Sequence, residues 1–396
     1  MESLGILTGG VAMMLAVIAT AAGIARHSQF YRRELAETGK RELALDGLRG
    51  MAALMVAAHH AALSRSWLVT GRWGEAQSPV LQLFAPTGVI LFFMLTGCLF
   101  WGKARAGNGK MSAWKLWRGR LYRIAPLYLF SLLLVLLVAA IQTGGHWLAL
   151  ENWKPLLRLL ALGALSWHNI GPVNPGDYNA GVVWTLWYEW MFYLALPFIA
   201  WLALGRRIFG AAMMVYALTF LSLWFNLNLQ PGLFFILGML CPALLEDQKL
   251  RSQLNRPTAA GLALSVTLLL CWLGRGYLFT KVPSISLAGA LFPVFLVAAA
   301  GNNFFGFLTH PAIRCLGAIS FSLYLLHGIM FRLVFRLLKS AGLTDWPQVD
   351  YWLIIIATAV ATTLLCAATY RWIEFPFLSV SHKKNPKTFR SSQPPG

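Results

Sequence analysis

Stretches of about 20 apolar residues, separated by short polar segments, recur along the whole 396-residue chain. That is the length an α-helix needs to cross the hydrocarbon core of a bilayer. The pattern predicts spans near residues 5–25, 45–69, 79–101, 124–143, 182–204, 209–228, 230–246, 258–279, 284–300, 316–338 and 350–372. The apolar piece 155–170 is short for a crossing and reads as re-entrant or interfacial. The fold class is therefore all-α, a polytopic membrane helical bundle, with no internal repeat. A polar tail from 379 to 396, rich in Lys, Pro and Ser, reads as disordered.

Composition agrees with the pattern: 58% of residues are hydrophobic, 12% are charged and the mean hydropathy is +0.62, against roughly 25% charged in a soluble domain. A net charge of +19 would suit nucleic acid, but the basic residues sit in short loops between apolar spans, so orientation in the lipid bilayer explains them more simply. The segments 26–49, 102–123, 205–207, 247–257, 301–314 and the tail from 371 hold 24 of the 33 Lys and Arg. By the positive-inside bias this places the N-terminus outside and the C-terminus in the cytoplasm, in an eleven-span arrangement. If 155–170 crossed, every later loop would invert. The first span precedes its basic stretch (Arg26, Arg32, Arg33, Lys40, Arg41), the reverse of a secretory signal. Five scattered cysteines without metal-ligand spacing give no support to a redox or zinc role.

Ionisable groups inside spans carry the candidate chemistry, because each is costly there. In Asp46-Gly47-Leu48-Arg49-Gly50 and the run to His59-His60, no polar side chain intervenes between Arg49 and the histidines. Eleven positions at about 100° each come within ~20° of full turns and rise ~16 Å. Arg49 at the mouth and His60 near mid-membrane thus share a face, with His59 about 80° off it. The basic loop ends in Arg120-Leu121-Tyr122-Arg123. Most of its charge is a positive-inside anchor, but Arg120 and Arg123 share a helix face where guanidinium forks suit phosphate oxygens.

Glu189, in Trp184-Thr185-Leu186-Trp187-Tyr188-Glu189, must face a cavity or a cation; neutralising an arginine, staying protonated and acting directly in catalysis all remain open. The aromatic residues around it read first as an interfacial belt, and second as stacking surfaces for sugars. Thr96 and Gly97 read as helix-packing residues. Ser320, Tyr324 and His327 form one helical stripe, with His327 read as an interhelical hydrogen-bonding residue or a second cavity residue.

In order along residues 43 to 378, these segments resemble the acyltransferase-3 family of integral membrane O-acyltransferases. The matching motifs are Asp46 to Gly50 with His60, Phe92-Phe93-x-Leu95-Thr96-Gly97, Arg120-x-x-Arg123-Ile124-x-Pro126, Trp184 to Glu189, Ser320 to His327, and Tyr370-Arg371-Trp372-Ile373-Glu374-x-Pro376. The resemblance implies a ten-helix acyltransferase core within residues 41–378, an essential Arg49 and His60 pair, and an Arg120/Arg123 element. Residues 1–40 would be an additional N-terminal transmembrane helix and basic linker. The doubled histidine leaves His59 as an alternative to His60.

On that resemblance the expected function is transfer of an acetyl or other short acyl group from acyl-CoA, a donor substrate and not a resident cofactor, to a hydroxyl of a bacterial surface carbohydrate. His60 would act as general base or transient acyl carrier, with Arg49 and Glu189 completing a catalytic set and Arg120, Arg123 and Arg49 binding the donor. Asp46, His59, Tyr324 and His327 are secondary candidates. A proton-coupled transporter would also use buried His, Glu and Arg, but neither an inverted repeat nor paired broken helices are visible.

Overall fold

The computed structural model describes residues 2–36, 43–70, 74, 76–143, 153–165, 169, 174–204, 230–274, 284–340, 342 and 347–383. Every long regular element among them is a helix: α1 (Glu2–His27), α2 (Gln29–Ala36), α3 (Leu43–Thr70), α4 (Pro79–Ala106), α5 (Ala113–Thr143), α6 (Trp153–Leu159), α7 (Trp184–Leu204), α8 (Gln230–Leu244), α9 (Gln248–Leu254), α10 (Pro257–Leu273), α11 (Ile285–Ala299), α12 (Pro311–Ala318), α13 (Ser320–Ser340), α14 (Gln348–Thr369) and α15 (Phe375–Lys383). The chain is an all-α polytopic helical bundle, and among the described residues six helices are long and apolar enough to cross a membrane: α1, α4, α5, α7, α13 and the continuous rod from Gln348 to Val380.

Several expected spans take other forms. α3 fills the expected span 45–69 but is not among the six apolar helices; Arg49, the His59-His60 pair and Arg65 lower its apolarity. α8 and α11 have 15 residues each, and α9 with α10 makes a pair bent by 76°. The expected span 209–228 lies outside the described residues. The apolar piece 155–170, expected not to cross, opens with the seven-residue α6, pinned where Tyr128 donates to the Leu159 carbonyl at 2.7 Å; residues 166–168 and 170 lie outside the described residues. Helix α5 begins at Ala113, so Arg118, Arg120 and Arg123 belong to a helix and not to a loop.

α3 is the central helix, packed against α1, α4, α11, α12 and α13. Its motif glycines permit that crowding. A Cβ on Gly47 would lie 2.0 Å from the Leu308 carbonyl oxygen, and one on Gly50 would lie 2.5 Å from the Gly317 nitrogen. α3 and α12 therefore meet backbone to backbone, and Arg49, between the two glycines, is held at the mouth of the bundle. Farther along, Tyr351 of α14 donates its hydroxyl to the Ala61 carbonyl, beside His60.

The last long helix changes its winding partway along. Tyr370–Glu374 forms a π-helical segment between α14 and α15, a local change that redirects the side chains after it. The helix then continues to Lys383, into the segment expected to be disordered; 384–396 lie outside the described residues.

Thr96 and Gly97 divide. Gly97 packs as expected: a Cβ there would sit 2.1 Å from the Phe235 carbonyl oxygen, while one on Gly238 would sit 2.0 Å from that of Met94. Small residues let the backbones of α4 and α8 approach in this way. Thr96 instead lines a cavity. Gly97→Val should lower stability by about 1–3 kcal/mol through overpacking, read as a reduced midpoint in thermal unfolding of the detergent-solubilised protein, whereas Gly261→Val, at an open position, should leave the midpoint close to wild type.

Candidate active site

Two cavities meet inside the bundle. The larger, about 350 Å³, is a basic vestibule at the Arg49 end of α3. Arg49, Lys103, Arg120, Arg123 and Arg314 line it, against Glu34, Asp46 and Glu189. The second cavity, about 270 Å³, is lined by His59, His60, Gln82, Trp184 and Val182 among others. Val89 and Tyr324 line both, so they form the shared wall. Beyond His60 a narrow slot continues past Ser64, Trp67, Asp177 and Arg332.

Arg49 and His60 thus lie along one face of α3, as the helical arithmetic predicts, but open into successive cavities. Arg49 pairs with Asp46 at 3.2 Å one turn earlier. His60 is 9% exposed, and its Nδ1 lies 2.9 Å from Nε2 of His327 on α13. Nδ1 of His327 is in turn 2.7 Å from the carbonyl oxygen of Leu323. A carbonyl only accepts, so His327 must carry its proton on Nδ1, and in the neutral ring its Nε2 is then an acceptor. The proton between the rings therefore belongs to His60 Nδ1. It follows that Nε2 of a neutral His60 holds the lone pair.

His59 is directed elsewhere. Its Nδ1 donates to the Leu81 carbonyl of α4 at 2.9 Å, tying two helices together, although the ring also lines the second cavity.

The stripe Ser320, Tyr324, His327 tracks the same path from the other side. Ser320 lines the vestibule and Tyr324 the shared wall. The Tyr324 hydroxyl donates to the Val182 carbonyl at 3.0 Å, and Thr185 Oγ1 is also 3.0 Å away. Trp184 of the aromatic cluster lines the second cavity, while Trp190 donates to the Leu162 carbonyl at 2.9 Å.

The two arginines of the Arg-x-x-Arg element differ. Arg120 lies 4.7 Å from the Phe100 ring centre and 5.6 Å from that of Tyr193. Its Nε is buried with no hydrogen-bond partner among the described residues. Arg123 pairs with Glu374 at 2.9 Å, and Glu374, whose side chain is fully buried, also accepts from Ser322. Glu189 faces the vestibule and accepts from the Tyr193 hydroxyl at 3.0 Å, within the positive field of Arg120, Arg123 and Arg49. It belongs with the arginines and not with His60.

Sequence reasoning passed over Glu34, Arg314 and Glu374. Arg314 Nη2 donates to the Leu35 carbonyl at 2.5 Å, and the Tyr370 hydroxyl donates to Glu34 at 2.9 Å. Both contacts draw α2 against the vestibule. Only Glu374 had a signal, as the sole acid of the motif that closes the last span. Among the described residues, no group of three or more His, Cys, Asp or Glu is placed to hold a metal.

A family model described as an acyltransferase domain matches residues 42–371, which covers α3 to the first two residues of the π segment and every residue of the histidine chain and arginine cluster. No curated protein and no solved structure matches the chain. With five-sixths of its length in that match and a helical membrane bundle around the paired cavities, the chain belongs to the acyltransferase-3 family and is a membrane acyltransferase.

Proposed function

We propose that this acyltransferase moves an acetyl or other short acyl group from acyl-CoA to a hydroxyl of a cell-surface carbohydrate, such as O-antigen or exopolysaccharide, in the bacterial cytoplasmic membrane. The observation that carries the reading is the His60, His327, Leu323 hydrogen-bond chain beside the wall shared by the two cavities.

The basic vestibule suits the donor. Its cations match the phosphates of a nucleotide thioester, with Arg120 offering N–H groups from a plane fixed by Phe100 and Tyr193. The thioester then extends toward Val89 and Tyr324. From the second cavity an acceptor hydroxyl approaches His60, and Trp184 supplies a flat apolar face for a sugar ring.

As the hydroxyl oxygen attacks the thioester carbonyl, its proton passes to Nε2 of His60. The tetrahedral intermediate then expels the CoA thiolate, which takes the proton back from the imidazolium, so the enzyme ends unchanged. His327 holds the His60 ring in the tautomer that this step needs, and the Leu323 carbonyl holds His327. Attack by the same nitrogen on the thioester would instead give a transient acyl-imidazole. Arg49 adds positive potential at the vestibule mouth, and Glu189 orients Tyr193 there and spaces the arginines.

With labelled acetyl-CoA and a glycan acceptor, His60→Ala should reduce transfer by about 10²–10⁴-fold, the range of a lost general base, while His59→Ala keeps most activity. His327→Ala should lower kcat by about 10–100-fold, and His327→Gln, whose amide oxygen can accept from His60 Nδ1, should recover part of it. A sensitive His59 with an indifferent His60 would overturn this assignment.

The arginines should separate by assay. Arg120→Ala should raise the KM for acyl-CoA by about 10–100-fold, the loss of a charge-assisted contact, with the wild-type advantage shrinking in high salt. Arg123→Ala should also destabilise the fold by about 3–5 kcal/mol, because Glu374 is left buried without its partner, and adding Glu374→Gln should restore part of the lost stability.

The orientation of the site follows from the charge bias. Single cysteines at Asn108 and Asp177 should react with an impermeant thiol reagent from opposite faces, Asn108 from the cytoplasm and Asp177 from outside. Labelling of both from one face would remove the arrangement in which donor and acceptor reach His60 from opposite sides.

A further inference from the structure

On the side of His60 away from the vestibule, α13 carries Arg332 and Arg336, about one turn apart. In the orientation proposed above they lie outside, where the chain's charge bias disfavours cations. Anchoring therefore does not account for them.

Arg332 lines the narrow slot with His60, Ser64, Trp67, Asp177 and Gly328. Its guanidinium carbon lies 3.8 Å from the ring centre of Trp67. Arg336 lies 4.7 Å from the ring centre of Tyr178, whose hydroxyl accepts from its Nη1 at 3.4 Å. Stacking fixes the plane of a guanidinium while leaving the N–H groups at its edge available. Arg332 Nε is buried and has no hydrogen-bond partner among the described residues. A buried donor in that state is costly, and it is accounted for when a ligand supplies the acceptor. Asp177 lines the same slot and attracts Arg332, but with Arg336 alongside, the two arginines outnumber it.

We propose that this slot binds an anionic group of the carbohydrate acceptor, a carboxylate or phosphate oxygen held by Arg332 with Arg336 reinforcing the potential, so that a neighbouring hydroxyl is presented to His60. The proposal rests on the transferase reading above and adds the class of acceptor: an acidic glycan and not a neutral one. It parallels the vestibule, where Arg120 is likewise held over aromatic rings with its Nε buried and without a hydrogen-bond partner among the described residues. Each reactant would then be gripped by one arginine whose plane is fixed before the ligand arrives.

The test uses the full-length protein in nanodiscs with labelled acetyl-CoA and three acceptors sharing one oligosaccharide backbone: neutral, bearing one uronate, and bearing one phosphate monoester. Wild type should favour at least one charged acceptor by about 10-fold or more in kcat/KM, as for a charge-assisted contact, and the preference should narrow as salt rises. Which of the two charged arms responds identifies the source of the anion. Arg332→Gln should collapse the preference to within about 3-fold, Arg336→Gln should reduce it partially, and Lys339→Gln, which removes a charge from the same helix away from the slot, should leave it intact. Arg332→Lys, which keeps the charge without the planar fork, should fall between wild type and Arg332→Gln.

Equal use of neutral and charged acceptors by wild type would overturn the proposal while leaving the transferase reading standing. Retention of the full preference in both Arg332→Gln and Arg336→Gln would do the same. Failure of wild type to label any acceptor, together with acetyl-CoA turnover indifferent to His60→Ala, would overturn the transferase reading and this proposal with it.

Discussion

A polar group taken into the middle of an apolar bundle has to bring its hydrogen-bond partner with it, and in this protein that constraint decides the geometry of the candidate site. Water cannot be relied on to satisfy an imidazole at that depth, so His60 is answered by His327 and His327 by the Leu323 carbonyl. The chain ends on a helix backbone, whose carbonyl has one fixed role, and the direction of every proton in it follows from that end. A single carbonyl on α13 thus sets the tautomer of a side chain on α3. The same constraint explains the neighbour: His59, with no histidine opposite it, is satisfied by the Leu81 carbonyl and serves to hold α3 against α4.

Such a chain works only if the helices that carry it hold their spacing to a fraction of an ångström, and glycines enforce this. Gly47, Gly50 and Gly317 bring the backbones of α3 and α12 into contact, and Gly97 with Gly238 does the same for α4 and α8. In lipid, where apolar side chains gain little by leaving one apolar surroundings for another, close backbone packing is a main source of helix association. The motif around Arg49 therefore has two functions on one helical turn. Its glycines seat α3, and its arginine faces the vestibule because they do.

Much of this was legible in the sequence. The 3.6-residue period alone placed Arg49 and His60 on one face, and the stripe of Ser320, Tyr324 and His327 on another, because such geometry is local to a helix. Glu189 was legible as a cavity residue, since the cost of a carboxylate in hydrocarbon admits few other positions. Contacts between distant segments were not legible. Nothing in the spacing announces that Glu374 meets Arg123, because Glu374 sits at the end of a π segment whose wider winding shifts it off the α-helical period. The split between Arg120, stacked on aromatic rings, and Arg123, committed to a buried carboxylate, is equally invisible to a motif that treats them as a pair. Spans 230–246 and 284–300 were legible as apolar helices, and the structure gives Gln230–Leu244 and Ile285–Ala299 there, 15 residues each.

The N-terminal segment shows how a part outside the family match can enter the site. The match begins at residue 42, after α2, yet α2 supplies Glu34 and Leu35 to the vestibule wall. It is bound there by contacts that are individually modest and mutually consistent. Tyr31, 2% exposed, donates to the Ala367 carbonyl at 2.8 Å, Phe30 meets Phe375 edge-on at 4.9 Å, Tyr370 donates to Glu34, and Arg314 donates to the Leu35 carbonyl. Two of those partners, Arg314 and Tyr370, themselves line the vestibule. Helix α1, packed along α12 and α14, fixes the position from which α2 reaches the site. The wall of the basic vestibule is therefore partly built by residues outside the family match, and one contact of Arg314 goes to a backbone carbonyl that this N-terminal segment provides.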